Sequence, residues 1–252
     1  MPFLLVGGGE QSKGGKVERM VSNTLFSGFP RDLFHFLEDL SKNNNREWFN
    51  ANKERYRESV LLPMGDFICA MGKRLHKISD SFVADPRANG GSMFRIYRDT
   101  RFARDKRPYK ENVACQFRHL SGKSAHAPGF YVHLQPGNVF IGAGIWKPPT
   151  PVLEKIRTAI IEQPGAWKKV VNSRAFTTRF GHIEGEQLKR PPRGCDSLHP
   201  FIEDLKRKSF FLKHSVKPSL ALTPAFADEA EATFKDGAHL MAFVTAAIGL
   251  SF

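Results

Sequence analysis

Cysteine is scarce in this chain. Its three, Cys69, Cys115 and Cys195, are odd in number and far apart, with no CxxC pair. Neither a disulfide framework nor a thiolate zinc site is indicated, and a reduced, cytoplasmic chain is the simplest expectation. Long apolar runs are missing too. The richest, HLMAFVTAAIGLSF at the end of the chain, falls well short of the roughly 20 residues that cross a bilayer, so a soluble protein with no membrane partner is expected. The opening MPFLLVGGGEQSKGGK has only a brief apolar run with no cationic segment before it, which is not a secretory signal. Phosphate-loop, GxSxG and kinase-type motifs are absent. His119, His126 and His133 recur every seven residues, a spacing that suits no tight ligand set, so no metal is expected. Gly142-Ala143-Gly144 lacks a third glycine and a following helix start, which argues against a dinucleotide site, and no other cofactor is indicated. Those two glycines instead let another backbone, or a flat ligand, come close to a strand end.

Acidic residues are also in short supply: 25 Asp and Glu stand against 38 Lys and Arg, a net charge of +13. Such a charge attracts polyanions without specifying a fold. With 252 residues and 41% hydrophobic content, the chain can bury a sizeable core, and 22 Phe against four Tyr make that core Phe-rich.

Periodicity organises the rest. Residues 1–24 read as a flexible extension, with Met20 as an alternative start, and residues 25–252 as one α+β domain. After Pro30, Leu33, Leu37 and Leu40 share a helical stripe with Phe34 beside them. Asn43-Asn44-Asn45 interrupts it, and Asn44 with Glu47 resembles a capping box for a second helix carrying Trp48, Asn52, Tyr56 and Val60, which Pro63 ends or kinks. Phe67, Met71, Leu75 and Ile78 form a third apolar face. Segments 93–97, 112–118, 129–135 and 139–145 alternate like strands. Gln135-Pro136-Gly137-Asn138 predicts an antiparallel hairpin. Helical spacing returns at residues 152–160 and after Pro164, a short helix and a strand are expected at 199–206 and 209–216, and two helices at 224–234 and 238–248. The expected architecture is a mainly antiparallel sheet with N-terminal and C-terminal helices packed on it.

The least ordinary stretch is FRIYRDTRFARDKRPYK, residues 94–110, with seven cations and two carboxylates. An arginine at every third position is neither a helical stripe nor one strand face, so the segment must be subdivided. Phe94 and Ile96 fall on one face of an expected strand and Arg95 and Tyr97 on the other, before a turn-like half begins. One reading has the arginines pair with Asp99, Asp105 and helix carboxylates. The other gathers them round an anion, because the planar fork of arginine matches phosphate and carboxylate, and the local excess of cations favours this.

NNNREWFNANKERYRESVLLP, FRIYRDTRFARDKRPYK, GFYVHLQPGNVFIGAGIWKPP and LKRPPRG followed by HPFIEDLKRKSF, in that order, resemble the uncharacterised family catalogued as domain of unknown function 2461. The resemblance covers residues 25–250 and implies a single domain, but it carries over no activity, substrate, cofactor or catalytic residue. Cys195 departs from it, standing after Arg193-Gly194 where an aromatic residue is expected.

The residues themselves predict a pocket on the sheet for an anionic small molecule, phosphorylated or carboxylated. Arg95, Arg98, Arg101 and Lys110 would hold charge. Tyr97, Tyr109, His133 and Trp146 would shape the pocket, although for Trp146 taken alone an ordinary core role is the first expectation. His133, Tyr97 or a nearby carboxylate would serve any acid–base step. Two rivals use the same cations. One is a nucleic-acid module with an added track at Lys189-Arg190, Arg193 and Lys206-Arg207-Lys208, for which weak, unspecific binding is expected in the absence of a helix-turn-helix or an aromatic platform strand. The other is a non-enzymatic protein whose basic face docks an acidic partner.

Overall fold

The chain is seen in a computed structural model that describes residues 26–122 and 127–252. The expected N-terminal extension and His126 lie outside those residues. Helix α1 (Arg31–Lys42) starts behind Pro30 and buries Leu33, Phe36, Leu37 and Leu40. The next helical stretch runs α2 (Arg46–Ala51), α3 (Lys53–Tyr56), a π-helical turn at Arg57–Leu61, and α4 (Leu62–His76). Its cap is Asn45, whose side chain accepts from the Trp48 amide at 2.9 Å. That corrects the expected Asn44 capping box, because the Asn44 side chain is spent elsewhere. Pro63 does not end this stretch. Its missing N–H falls in the first turn of α4, directly after the wider π turn, and the helical path continues.

Strands β1 (Val113–Arg118), β2 (Gly129–Gln135), β3 (Asn138–Ile145) and β4 (Phe210–Val216) form one antiparallel sheet in the order β1-β2-β3-β4. The predicted hairpin is present: Gln135 faces Asn138, and Gly137 takes the positive φ of 72° that the two-residue turn needs. Segment 93–97 is not a strand of this sheet. It runs beside β1 and the residues that precede it, with isolated bridges from Met93 to Cys115 in β1 and from Tyr97 to Tyr109 before it. Between those bridges the 109–115 side is two residues longer, so no continuous ladder fits.

Between β3 and β4 the chain makes α5 (Thr150–Glu162), α6 (Pro164–Val171), α7 (Arg174–Arg179) and α8 (Ile202–Leu205). Helix α7 has no counterpart in the periodicity reading, although Ser173 caps it. After β4 come α9 (Pro218–Ala221) and α10 (Ala225–Ala247). The two expected C-terminal helices are one, running straight through Gly237. A Cβ at that position would come 2.9 Å from the Cβ of Ala143 on β3, so the glycine marks close helix–sheet packing and not a break.

Strand alternation sends Phe117, Phe130, Val132, Leu134 and Ile141 into a core shared with α1, α4 and α10. A second cluster under α5–α8 is centred on Trp167, Phe210 and Leu240. No helix among the described residues is long and apolar enough to cross a membrane.

Candidate functional site

The alternation that fills the core fixes what faces the other way. Opposite residues share a face, so the pairs Gln116–Tyr131, Tyr131–Gly142 and Gly142–Lys213 place these side chains across the sheet on its second face. His133 opposite Phe140 and Phe211 opposite Gly144 join them. Of these, Gln116, Tyr131, Phe140, Gly144, Phe211 and Lys213 floor a cleft of about 470 Å³, to which Phe94, Trp146 and Glu184 also contribute. None of its lining residues belongs to a helix.

Glycine makes the floor possible. A Cβ on Gly142 would lie 2.3 Å from Cζ of Phe211, and one on Gly144 would lie 2.0 Å from the Phe210 carbonyl oxygen. The close approach expected at Gly142 and Gly144 is therefore made by β4 itself and by the Phe211 ring. Trp146 follows β3 and is 44% exposed at the cleft rim, so it is not core. It stands edge-on to Phe211 with centroids 5.7 Å apart. The next residue, Lys147, takes a φ of 44°, uncommon for a non-glycine, and its amide donates to Ser209 Oγ at 2.9 Å, which fixes the turn carrying Trp146.

Along β2 a polar chain borders the rings. Gln135 Oε1 can only accept, so His133 Nε2–H donates to it at 3.3 Å, and Nδ1 is left to accept from the Tyr131 hydroxyl at 3.2 Å. Burial pushes the His133 imidazole below its ordinary range and Lys213 adds to this, while the bond to Gln135 opposes it. The ring is therefore neutral near pH 7. It stacks on Phe140 at 4.6 Å and 14°, and Lys213 Nζ stands 4.8 Å from the Phe140 centroid. Among the described residues no carboxylate pairs with Lys213.

A second lobe of about 460 Å³ shares Phe94 and Tyr131 with the first and adds Arg98, Lys110 and His133. Lys110 Nζ donates to the Arg95 carbonyl at 2.8 Å and lies 5.5 Å from the Phe94 centroid. Burial, with the nearby Arg95 charge, holds its pKa below that of an ordinary lysine. Of the expected site residues, Arg98, Lys110 and His133 thus meet at this lobe and Trp146 lines the main cleft.

The others lie apart. Arg95 is exposed. Tyr97 is 57% exposed beside Phe49, and Tyr109 is buried in a stack on the same ring at 4.2 Å. Arg101 is a surface residue bound to Asp99 at 2.7 Å. That pairing, led by the side-chain bond, draws the Asp99 carboxyl down to about 2. Local pairing absorbs much of the run: Arg98 bonds Asp105 at 2.8 Å, and Arg107 bonds Asp105 and Glu111. Of the more distant track, Lys206, Arg207 and Lys208 pair with Glu203, Asp204 and Glu186. Cys115 is buried, and burial raises its thiol pKa; Cys69 is raised for the same leading reason. Among the described residues no group of three potential ligands gathers to hold a metal.

Phe94, Tyr131, Phe140, Glu184, Phe211 and Lys213 complete the site without having been singled out from the sequence as lining it. The alternation of β2 and β3 exposed Tyr131 and Phe140. The contributions of Phe211 and Lys213 depend on the register of β4, which periodicity does not contain.

Asn44 holds the basic segment in place. Its amide donates to the Tyr109 carbonyl at 3.1 Å and to Glu111 at 3.2 Å, and accepts from the Tyr109 amide at 3.1 Å. Asn44→Ala would leave both backbone groups of Tyr109 without this partner, a loss of about 2 kcal/mol and roughly 4–8 °C in melting temperature for a protein of this size. Tryptic cleavage within residues 98–107 should accelerate in parallel. Unchanged melting and unchanged cleavage would show that the segment holds itself.

Fold and cleft together define a single-domain α+β protein with a ring-lined cleft on the face of a four-stranded antiparallel sheet that is turned away from the core. The chain belongs to the family of conserved hypothetical proteins designated domain of unknown function 2461, whose match spans residues 32–243. No curated protein and no solved structure matches it.

Proposed function

We propose that the protein binds an anionic small molecule, phosphorylated or carboxylated, whose planar part sits in the cleft on the sheet. The observation that carries this reading is Lys213: a half-buried lysine whose ammonium stands over the aromatic floor, with no carboxylate partner among the described residues. A cation so placed gains from a ligand anion, because a site walled by rings screens the attraction less than water does. Lys110 in the adjoining lobe offers further positive charge, whereas Arg98 there is already paired with Asp105. Both ring nitrogens of neutral His133 are engaged, so a proton from the ligand would reach its Nδ1 by way of the Tyr131 hydroxyl. The rival reading of an extended basic track is weakened by the carboxylates already paired with Lys206, Arg207 and Lys208.

Melting the protein with benzoate, phenyl phosphate and inorganic phosphate tests the reading. A ring-bearing anion at a hundred times its Kd stabilises by about 2.7 kcal/mol, whereas inorganic phosphate should do little. Lys213→Met should weaken binding about tenfold or more, as expected for losing a hydrogen bond to a charged group. Arg101→Gln should leave it unchanged. If ring-bearing anions at millimolar concentration shift no melting curve, the reading fails.

A further inference from the structure

We infer that the ligand is a nucleotide, with a base that carries an exocyclic amine lying among the rings and the phosphate turned toward the lysines. This rests on the binding reading above and narrows its ligand class. The first support is the kind of apolar wall. Phe94, Tyr131, Phe140, Phe211 and Trp146 supply it, and no aliphatic side chain lines the cleft. A strand face that needs only an apolar cover is ordinarily built from Val, Ile and Leu as well as rings. An all-ring wall suits a planar partner, and every base offers a π-face to stack on it. The rings are also held in place: Tyr131 packs on Phe140 at 5.7 Å, Phe211 stands edge-on to Tyr131 at 6.2 Å, and Phe140 lies against His133.

The second support is the pairing of opposite charges in one slot. Glu184 lines the same cleft as Lys213, on a backbone fixed by the hydrogen bond its amide donates to the Phe211 carbonyl at 2.7 Å. Its carboxylate meets His182 at 3.3 Å toward the surface. A simple aromatic acid would gain from Lys213 and be repelled by Glu184. A molecule with an N–H donor edge at one end and an anion at the other is served by both. The amino edges of adenine, cytosine and guanine donate to a carboxylate, while the corresponding position of uracil is a carbonyl. A monophosphate carries close to two negative charges, which suits Lys213 in the cleft, with Lys110 lining the adjoining lobe beyond Phe94 and Tyr131.

The test is titration of the full chain with AMP, CMP, GMP and UMP, with adenosine and with phenyl phosphate, followed by calorimetry and by tryptophan emission. AMP, CMP or GMP should saturate the protein, and UMP and phenyl phosphate should bind about tenfold more weakly or worse, since unmatched polar edges are costly. Lys213→Met and Lys110→Met should each weaken the preferred nucleotide about tenfold while leaving adenosine unchanged, as expected for losing a charged contact. Glu184→Gln, near-isosteric and easily checked for folding by its melting curve, should erase the discrimination against UMP. Phenyl phosphate binding as tightly as any nucleotide would overturn the nucleotide assignment and leave the binding reading standing. Binding of none of these anions would remove both. Saturation by a short single-stranded RNA at physiological salt, with no monophosphate bound, would overturn the assignment in favour of a strand.

Discussion

Replacing Gly144 by alanine should destabilise the protein by about 3 kcal/mol or more. Two penalties coincide at this position. Its φ of 137° is one that L side chains rarely adopt, and a Cβ there would sit 2.0 Å from the Phe210 carbonyl oxygen, a backbone atom that cannot rotate away. Relief would require β3 and β4 to separate where Gly144 pairs with Phe211, in the cleft floor. At roughly 2–4 °C per kcal/mol, the melting temperature should fall by about 10 °C. Gly137 provides the control, since its φ is 72° with nothing within 4 Å of an added Cβ. Gly137→Asn keeps a residue that tolerates left-handed backbone and should cost less than about 1 kcal/mol. Comparable losses at the two positions would mean that the β3–β4 register yields easily.

Gly237→Val should cost a similar amount, about 3 kcal/mol. In the middle of α10 an exposed glycine would be a liability, and replacing it with a better helix former would stabilise the helix. Here the helix lies on β3, and even one carbon would come within 2.9 Å of the Ala143 Cβ. Packing should therefore outweigh propensity. A second substitution separates the two effects. Ala143→Gly makes room directly opposite, so the double variant should recover at least about 0.5 kcal/mol beyond additivity, as residues in contact do. Strict additivity in denaturant unfolding would place the cost elsewhere in α10.

Both glycines show how far local pattern reaches. Leu33, Leu37 and Leu40 repeat at helical spacing because one side of α1 must be apolar to bury, and that need is written in the chain itself. Alternation in β2 and β3, with Pro136-Gly137 between them, likewise defines a hairpin without reference to the rest of the molecule. The same logic stumbles where one residue type serves two purposes. Gly237 reads as a break although it is a contact, and Asn44 and Asn45 are interchangeable as caps until Tyr109 claims one of them.

The arginine run was visible as a concentration of charge, but the destination of each side chain was not. Arg98, Arg101 and Arg107 find Asp105, Asp99 and Glu111 within the run or just beyond it, whereas Lys110 turns onto Phe94 beside the cleft. That division depends on where a loop folds back, and a repeat of three carries no such information.

What the sequence determined by itself was most of the elements, the antiparallel hairpin, the basic character and the family, because each is expressed in neighbouring residues or in composition. It did not determine α7, the unity of α10 or the irregular path of 93–97. What only the tertiary structure decided was the cleft. Its floor needs Phe211 and Lys213 opposite Gly144 and Gly142, residues separated by the whole helical excursion of α5–α8. Their register is set when Trp167, Phe210 and Leu240 close a common core under those helices, and a side chain one position out of step would face the core instead of the cleft.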